Sequence, residues 1–261
     1  MASITTAQGQ ELDYVDHGGS GPAVVLLHSF FMDASMFAPQ VAAFAADYRL
    51  IAVNQRGHGD TPVSGPFDYW DSARDVLAVL DHLGIERAAL VGTSQGGFVA
   101  LRIALLAPQR VVALAALGTS AAAEVPVMVA NYRQMAANWI EMGPILPLVD
   151  MLAAICLGGE MDATEWKAKW RDHPIDTIDV LVSALVDRDD IVGRLGEIDV
   201  PALVMHGSAD LCYPMERARE LADGLPKCEG AIIVEGGAHF LSLTNPDEVN
   251  AHLGPFLAAT I

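Results

Sequence analysis

Four short apolar runs, Ala23 to Leu27, Arg49 to Val53, Ala88 to Val91 and Val111 to Leu117, alternate with longer stretches that carry apolar residues at helical spacing. Strands joined by crossovers of that length lie parallel to one another, so the first half of the chain predicts βαβ units around a mainly parallel sheet. Phe37 to Ala46, Asp71 to Leu83 and Gly97 to Leu106 are the expected helices, with Gly84 and Pro108 placed as stops. Ahead of them, Ser3 to Ala7 and Glu11 to Asp16 flank Gln8-Gly9-Gln10, which predicts an antiparallel hairpin on one edge. The alternation stops at Ala122 and resumes after Gly196, with a strand at Ala202 to Met205, a helix at Met215 to Leu221, a strand at Ala231 to Val234 and a last helix at Pro246 to Leu257. The expected organisation is therefore one sheet domain, residues 1–121 and 197–261, interrupted by a helical insertion, residues 122–196.

Composition sets the broad class. At 261 residues and 52% hydrophobic the chain can bury a sizeable core, and its glycines follow no period. Lys and Arg number 15 against 33 Asp and Glu, a net charge of −18 that repels phosphate backbones and anionic membrane surfaces. The longest apolar run, Val111 to Ala123, is fenced by Arg110 and Glu124 and falls short of the roughly 18 residues a membrane span requires. Met1 to Gln10 has neither a basic nor an apolar leader region, and Cys156, Cys212 and Cys228 are odd in number and far apart, which fits a cytoplasmic protein. No nucleic acid and no membrane is expected as a partner; oligomeric state stays open, a homo-oligomer included.

The chemistry concentrates in Val91-Gly92-Thr93-Ser94-Gln95-Gly96-Gly97, a G-x-S-x-G set between an expected strand and an expected helix. A sharp strand-to-helix turn strains the serine outward and leaves no room for side chains at Gly92 or Gly96. The plainer reading, a Gly-rich turn opening an ordinary helix, does not explain why strand, turn and helix fall in that order. Serine is a weak nucleophile unless a base takes its proton and an acid orients the base. His239, in Gly236-Gly237-Ala238-His239-Phe240, and Asp210, in Gly207-Ser208-Ala209-Asp210, both follow expected strands, so they leave the same edge of the sheet as Ser94.

Together with Leu26-Leu27-His28-Ser29-Phe30 and Asn54-Gln55-Arg56-Gly57-His58-Gly59-Asp60-Thr61, these motifs resemble the α/β-hydrolase fold family over nearly the whole chain. The resemblance implies an α/β fold with a mostly parallel eight-stranded sheet flanked by helices and a helical cap at the insertion. It implies Ser94 as nucleophile, His239 as general base and then acid, Asp210 as its orienting partner, and the backbone N–H groups of Phe30 and Gln95 as the oxyanion hole. His28-Ser29 replaces the family's usual His-Gly, a variant that its enol-lactonase branch also resembles. His58 is expected to be structural or exposed rather than catalytic, and His28 to brace the oxyanion loop by hydrogen bonding.

No metal and no cofactor is expected: H-E-x-x-H, G-x-G-x-x-G and Walker sequences are missing, and cysteines and histidines are not clustered along the chain. In the insertion, Met128, Tyr132, Met135, Trp139 and Met142 share one helical face, which either packs as core or, with Phe240, lines a substrate pocket. The expected reaction is acyl transfer to water from a small ester or lactone, in the carboxylic ester hydrolase class. Enol-lactone opening, carbon–carbon bond hydrolysis in aromatic breakdown and cofactor-free perhydrolysis or haloperoxidase chemistry use the same machinery, and a ligand-binding receptor on this fold is the non-enzymatic alternative. A substrate bearing a carboxylate would require a cation in the insertion, for which Arg133, Lys167, Lys169 and Arg171 are the candidates.

Overall fold

The computed structural model describes residues 2–261. Among them, eight strands form one sheet in the order β1-β2-β4-β3-β5-β6-β7-β8, where β1 is Ala2–Thr5, β2 Glu11–Asp16, β3 Ala23–Leu27, β4 Arg49–Val53, β5 Ala88–Thr93, β6 Val111–Leu117, β7 Ala202–Gly207 and β8 Cys228–Val234. The β1–β2 and β2–β4 pairs are antiparallel and every other pair is parallel. Strands β3 to β7 are apolar on both faces and almost wholly buried, as a sheet covered by helices on both sides requires. β8 is an edge strand whose first residues, Cys228-Glu229-Gly230, are half-exposed or exposed, so the apolar signal that marked Ala231 to Val234 is missing from its start.

Connections alternate with α1 (Ala38–Phe44), α2 (Tyr69–His82) and α3 (Gln95–Leu106) in the first half. The chain steps from β3 outward to β4 and then back across β3 to β5, so right-handed crossovers put α1 on one face and α2 and α3 on the other. The expected helix over Phe37 to Ala46 is shorter than its apolar pattern: Asp33 accepts a 2.8 Å hydrogen bond from the Ser35 amide and opens a tight 3-10 turn over Ala34–Phe37, and α1 follows it. α2 starts two residues before the pattern suggested, because Asp68 and Asp71 close a reciprocal capping box at its N-terminus.

Between β6 and β7 run α4 (Pro126–Met142), α5 (Leu146–Leu157), α6 (Thr164–Asp172) and α7 (Ile178–Val186). α4 packs on α7, and α5 on α6. After β7 come α8 (Met215–Gly224), β8, the short α9 (Leu241–Thr244) and α10 (Pro246–Thr260), with α10 packed against α1. Among the described residues no helix is long and apolar enough to cross a membrane.

Candidate active site

Register brings the chemistry to one edge. Leu27 pairs with Gly92, Thr93 with Leu117, Leu117 with Met205 and Gly207 with Val234, so the loops leaving β3, β5, β7 and β8 emerge side by side at the carboxyl ends of the strands. Ser94 occupies the turn from β5 into α3 with φ +51° and ψ −114°, a backbone conformation costly for any residue with a Cβ. Surrounding contacts hold it there. The Ser94 amide donates to Leu117 O at 2.8 Å, and Ser94 O accepts from Thr119 Oγ1 at 2.7 Å. A Cβ on Gly92 would come within 2.3 Å of Gly96 O, and one on Gly96 within 1.9 Å of Leu27 O.

His239 Nε2 lies 2.8 Å from Ser94 Oγ, and its Nδ1 lies 2.8 Å from Asp210 Oδ2. The other Asp210 oxygen accepts from the amides of Cys212 at 2.7 Å and Tyr213 at 3.0 Å. Burial disfavours the Asp210 carboxylate, but His239 and the Tyr213 amide outweigh it and hold the carboxyl below its usual range. For His239, burial works against the imidazolium while the Cys212 sulfur and the Asp210 carboxylate work for it and prevail, so its pKa lies above the ordinary imidazole value. The neighbouring Cys156 thiol, together with burial, pushes the Cys212 thiol well above its ordinary range, which leaves Asp210 as the charge that raises His239.

The loop after β3 is fixed from three directions. His28 Nδ1 bonds Ser29 O at 2.8 Å, and its Nε2 accepts from the Gln55 amide at 2.9 Å; burial holds this ring neutral, with a pKa lowered to about 4. Ser29 Oγ donates to Thr93 O at 3.1 Å, tying the loop to the serine turn. Phe31 adopts φ +62°, so the two non-glycine residues with positive φ among those described, Phe31 and Ser94, both stand at this site. The amides of Phe30 and Gln95 have no protein acceptor among the described residues. The Gln95 side chain is turned aside, its Oε1 accepting from the buried Tyr69 hydroxyl at 3.1 Å.

Above the serine lies a cavity of about 30 Å³, lined by Tyr132 and Met135 of α4, Leu152 and Cys156 of α5, Leu185 of α7, Phe30 and Phe31, and Cys212, Tyr213 and Phe240 of the core loops. The sequence-derived α4 stripe therefore divides. Tyr132 and Met135 face the cavity, but Trp139 is fully buried with its ring stacked on Phe31 at 5.1 Å, Met128 lies outside the lining, and Met142 is 48% exposed. Larger hollows exist, such as one of about 420 Å³ between Met142–Leu146 and Arg171, but they open on the surface and hold no part of the relay. The cations named from sequence do not face the serine: Arg133 pairs with Asp187, Lys167 with Asp150 and Lys169 with Asp33, each at 2.8–2.9 Å, and Arg171 borders the surface hollow.

Sequence reasoning missed a buried ionic clamp. Arg188, which follows α7, and Glu124, which precedes α4, meet at 3.1 Å with side chains only 2% and 3% exposed. Arg188 also donates to Leu185 O and Ala122 O, stacks on Phe98 at 4.4 Å and, like Glu124, lies 3.3 Å from the Tyr213 hydroxyl. The Tyr213 ring stands edge-on to His239 with centroids 5.5 Å apart. His206 was also missed as a neighbour: its Nε2 lies 3.0 Å from Tyr213 O and 3.6 Å from Asp210 Oδ2. His58 is buried against His28 and Phe30, its Nδ1 bonded to Arg56 O at 2.9 Å, and makes no contact with the relay. The dispersion of cysteines and histidines along the chain does not survive folding, since Cys212, Asp210 and His239 place ligand-type atoms within 4.8 Å of one another.

A profile of the alpha/beta hydrolase fold matches residues 22–147. The dihydrolipoyllysine-residue acetyltransferase component of the acetoin cleaving system of Pseudomonas putida is 32% identical, over 95% of this chain and 67% of that one. The 2-hydroxy-6-oxononadienedioate/2-hydroxy-6-oxononatrienedioate hydrolase of Paraburkholderia phymatum is 31% identical over 94% of this chain and 90% of its own. Among solved structures, the enol-lactonase from Burkholderia xenovorans LB400 superposes with a TM-score of 0.86 at 27% identity, covering 98% of this chain and 100% of that one.

Proposed function

Because this chain belongs to the α/β-hydrolase fold family, we propose that it is a serine hydrolase that cleaves a neutral, mainly apolar carboxylic ester or lactone through an acyl-enzyme on Ser94. The observation that carries the reading is the unbroken relay Ser94–His239–Asp210, with 2.8 Å at both links and the serine held in strained backbone. His239 Nε2 takes the Oγ proton as Ser94 attacks the carbonyl carbon, and the Phe30 and Gln95 amides receive the charge that develops on the carbonyl oxygen. The protonated ring then gives its proton to the leaving alcohol or enol, and on the return half-reaction removes one from water. Asp210 fixes the tautomer with Nδ1–H and stabilises the imidazolium throughout.

Substrate class is set by the groups that face the serine. Carbon and sulfur atoms dominate the lining, and no Lys or Arg is in it among the described residues. The nearest buried cation, Arg188, is neutralised by Glu124 and screened by Phe98 and Tyr213. A substrate carrying a carboxylate, as the dienedioate in the name of one relative does, would have to bury that charge unpaired. Residues 122–196 serve as the cap: their helices roof Ser94, and a cavity of about 30 Å³ admits an acyl group only when they part.

The test is a panel of p-nitrophenyl esters of rising chain length, with lactones and a peracid assay beside it, run on the wild type and on Ser94→Ala. Turnover with a burst of p-nitrophenol is expected from the wild type, and a loss of roughly 10⁴-fold or more from the variant. Saturable binding with no alcohol release would make the protein a receptor, and unchanged hydrolysis by Ser94→Ala would remove the serine from the mechanism.

A further inference from the structure

The fold gathers thiols where the sequence scatters them. Cys212 follows Asp210 on the loop after β7, and its sulfur lies within 4.8 Å of a His239 ring nitrogen and an Asp210 oxygen. Cys156 comes from the opposite side, on α5, and lines the same cavity as Cys212 and His239. Both backbones are pinned: Cys156 O accepts from the Phe240 amide at 3.0 Å, and the Cys212 amide donates to Asp210 at 2.7 Å. Neither thiol has a part in the acyl-transfer relay.

One thiol, an imidazole nitrogen and a carboxylate oxygen lie within 4.8 Å of one another, and a second thiol, Cys156, lines the same small cavity as Cys212 and His239; together they make the donor set that thiophilic, tetrahedral divalent cations select. We propose that Cys156, Cys212 and His239, with Asp210 at hand, form a binding site for a thiophilic divalent cation such as Zn²⁺, and that occupancy switches the serine site off. The balance is simple. The ion forms bonds to both sulfurs and to one ring nitrogen, and the two thiol protons pass to solvent; no oxidant or reductant is involved. Inhibition follows from geometry. Nδ1 of His239 is committed to Asp210 and Nε2 to Ser94, so ligation through either nitrogen breaks one link of the relay. The ion would also tie α5 to the core loop and hold the helical insertion closed over Ser94.

This site goes beyond the hydrolase reading, and its binding readout does not depend on that reading. The purified full chain, stripped with a chelator, is titrated with Cd²⁺ while the sulfur-to-cadmium charge-transfer absorption is followed, and with Zn²⁺ while ester hydrolysis is followed. The expected result is a charge-transfer band that saturates at one equivalent, together with inhibition by stoichiometric Zn²⁺ that chelator reverses. Each variant is compared with its own metal-free rate, so a change in basal activity cancels. Cys156→Ser and Cys212→Ser should each weaken binding more than about tenfold, and the double variant should lose the band. Cys228→Ser, whose thiol bonds Gly230 O at the far edge of the sheet, should keep both band and inhibition. Circular dichroism on each variant separates loss of the site from loss of the fold. A missing band in the folded wild type, a band that persists in the folded double variant, or binding without inhibition would overturn the proposal. An ester-inactive protein that still shows the one-equivalent band would refute the hydrolase reading and leave the site standing.

Discussion

Removing the guanidinium of Arg188 should be among the most damaging single changes outside the relay. Arg188→Met keeps most of the side-chain volume against Phe98 but leaves Glu124, 3% exposed, with the Tyr213 hydroxyl at 3.3 Å as its remaining side-chain partner. Breaking one half of a buried ion pair costs about 3–5 kcal/mol, because the surviving charge keeps its desolvation penalty and loses its compensation. Domains are stable by about 5–15 kcal/mol, so the variant would lose a large share of the total. Tyr213 transmits the damage to the site, since its hydroxyl touches the clamp, its ring packs on His239 and its amide bonds Asp210. Urea unfolding followed by tryptophan fluorescence should show a lower midpoint at unchanged slope. The companion double variant, Arg188→Met with Glu124→Gln, removes both charges and should recover most of the loss, whereas two independent contributions would add. A cost below about 1 kcal/mol for the single variant, the value of an exposed pair, or strict additivity in the double, would refute the argument that the clamp is a buried, mutually dependent pair.

Other outcomes rest on the same geometry. In the proposed mechanism His239 must be neutral to accept the serine proton, and Asp210 raises its pKa, so kcat/KM should climb with pH through an acid limb above the reference value of about 6.5; Asp210→Asn should move that limb down and cut kcat by about 10⁴, and a limb at or below the reference would count against the assignment. Gly96→Ala puts a Cβ 1.9 Å from Leu27 O and 2.5 Å from Leu27 C, backbone atoms that cannot swing aside, and should cost about 3 kcal/mol or more, seen as a fall in Tm of roughly 6–12 °C. Esters matched in size but carrying a distal carboxylate should be hydrolysed roughly 100-fold less efficiently than neutral ones, for about 3 kcal/mol of unpaired charge; equal kcat/KM values would mean that a cation reaches the pocket.

What the sequence disclosed was whatever local chemistry dictates. Gly92 and Gly96 are legible because a side chain at either would strike backbone only a few ångströms away, and β3 to β7 are legible because strands buried on both faces read as unbroken apolar runs. Asp210 and His239 could be placed because each comes directly after a strand, and parallel strands deliver their trailing loops to one edge. The features that stayed hidden depend on partners distant in the chain. Glu124 and Arg188 look like ordinary charged residues beside helices until the insertion folds back on itself. Cys156 and Cys212 acquire meaning only when α5 comes down on the loop after β7. The α4 stripe divides because a shared face is longer than the patch its neighbours cover: Tyr132 and Met135 reach the cavity, Trp139 stacks on Phe31, and Met142 stays 48% exposed.

The Glu124–Arg188 pair also bears on how such a protein could be rebuilt. The helical excursion leaves and re-enters the sheet domain through residues whose side chains touch, so its two ends sit a single ion pair apart whatever lies between them. A segment closed at its base in this way can be exchanged as a cassette: a roof of different length or lining, joined at the same acid and the same arginine, would inherit the anchorage of Tyr213 and would have to rebuild the contacts that the present helices make with Phe31 and the Phe240 amide.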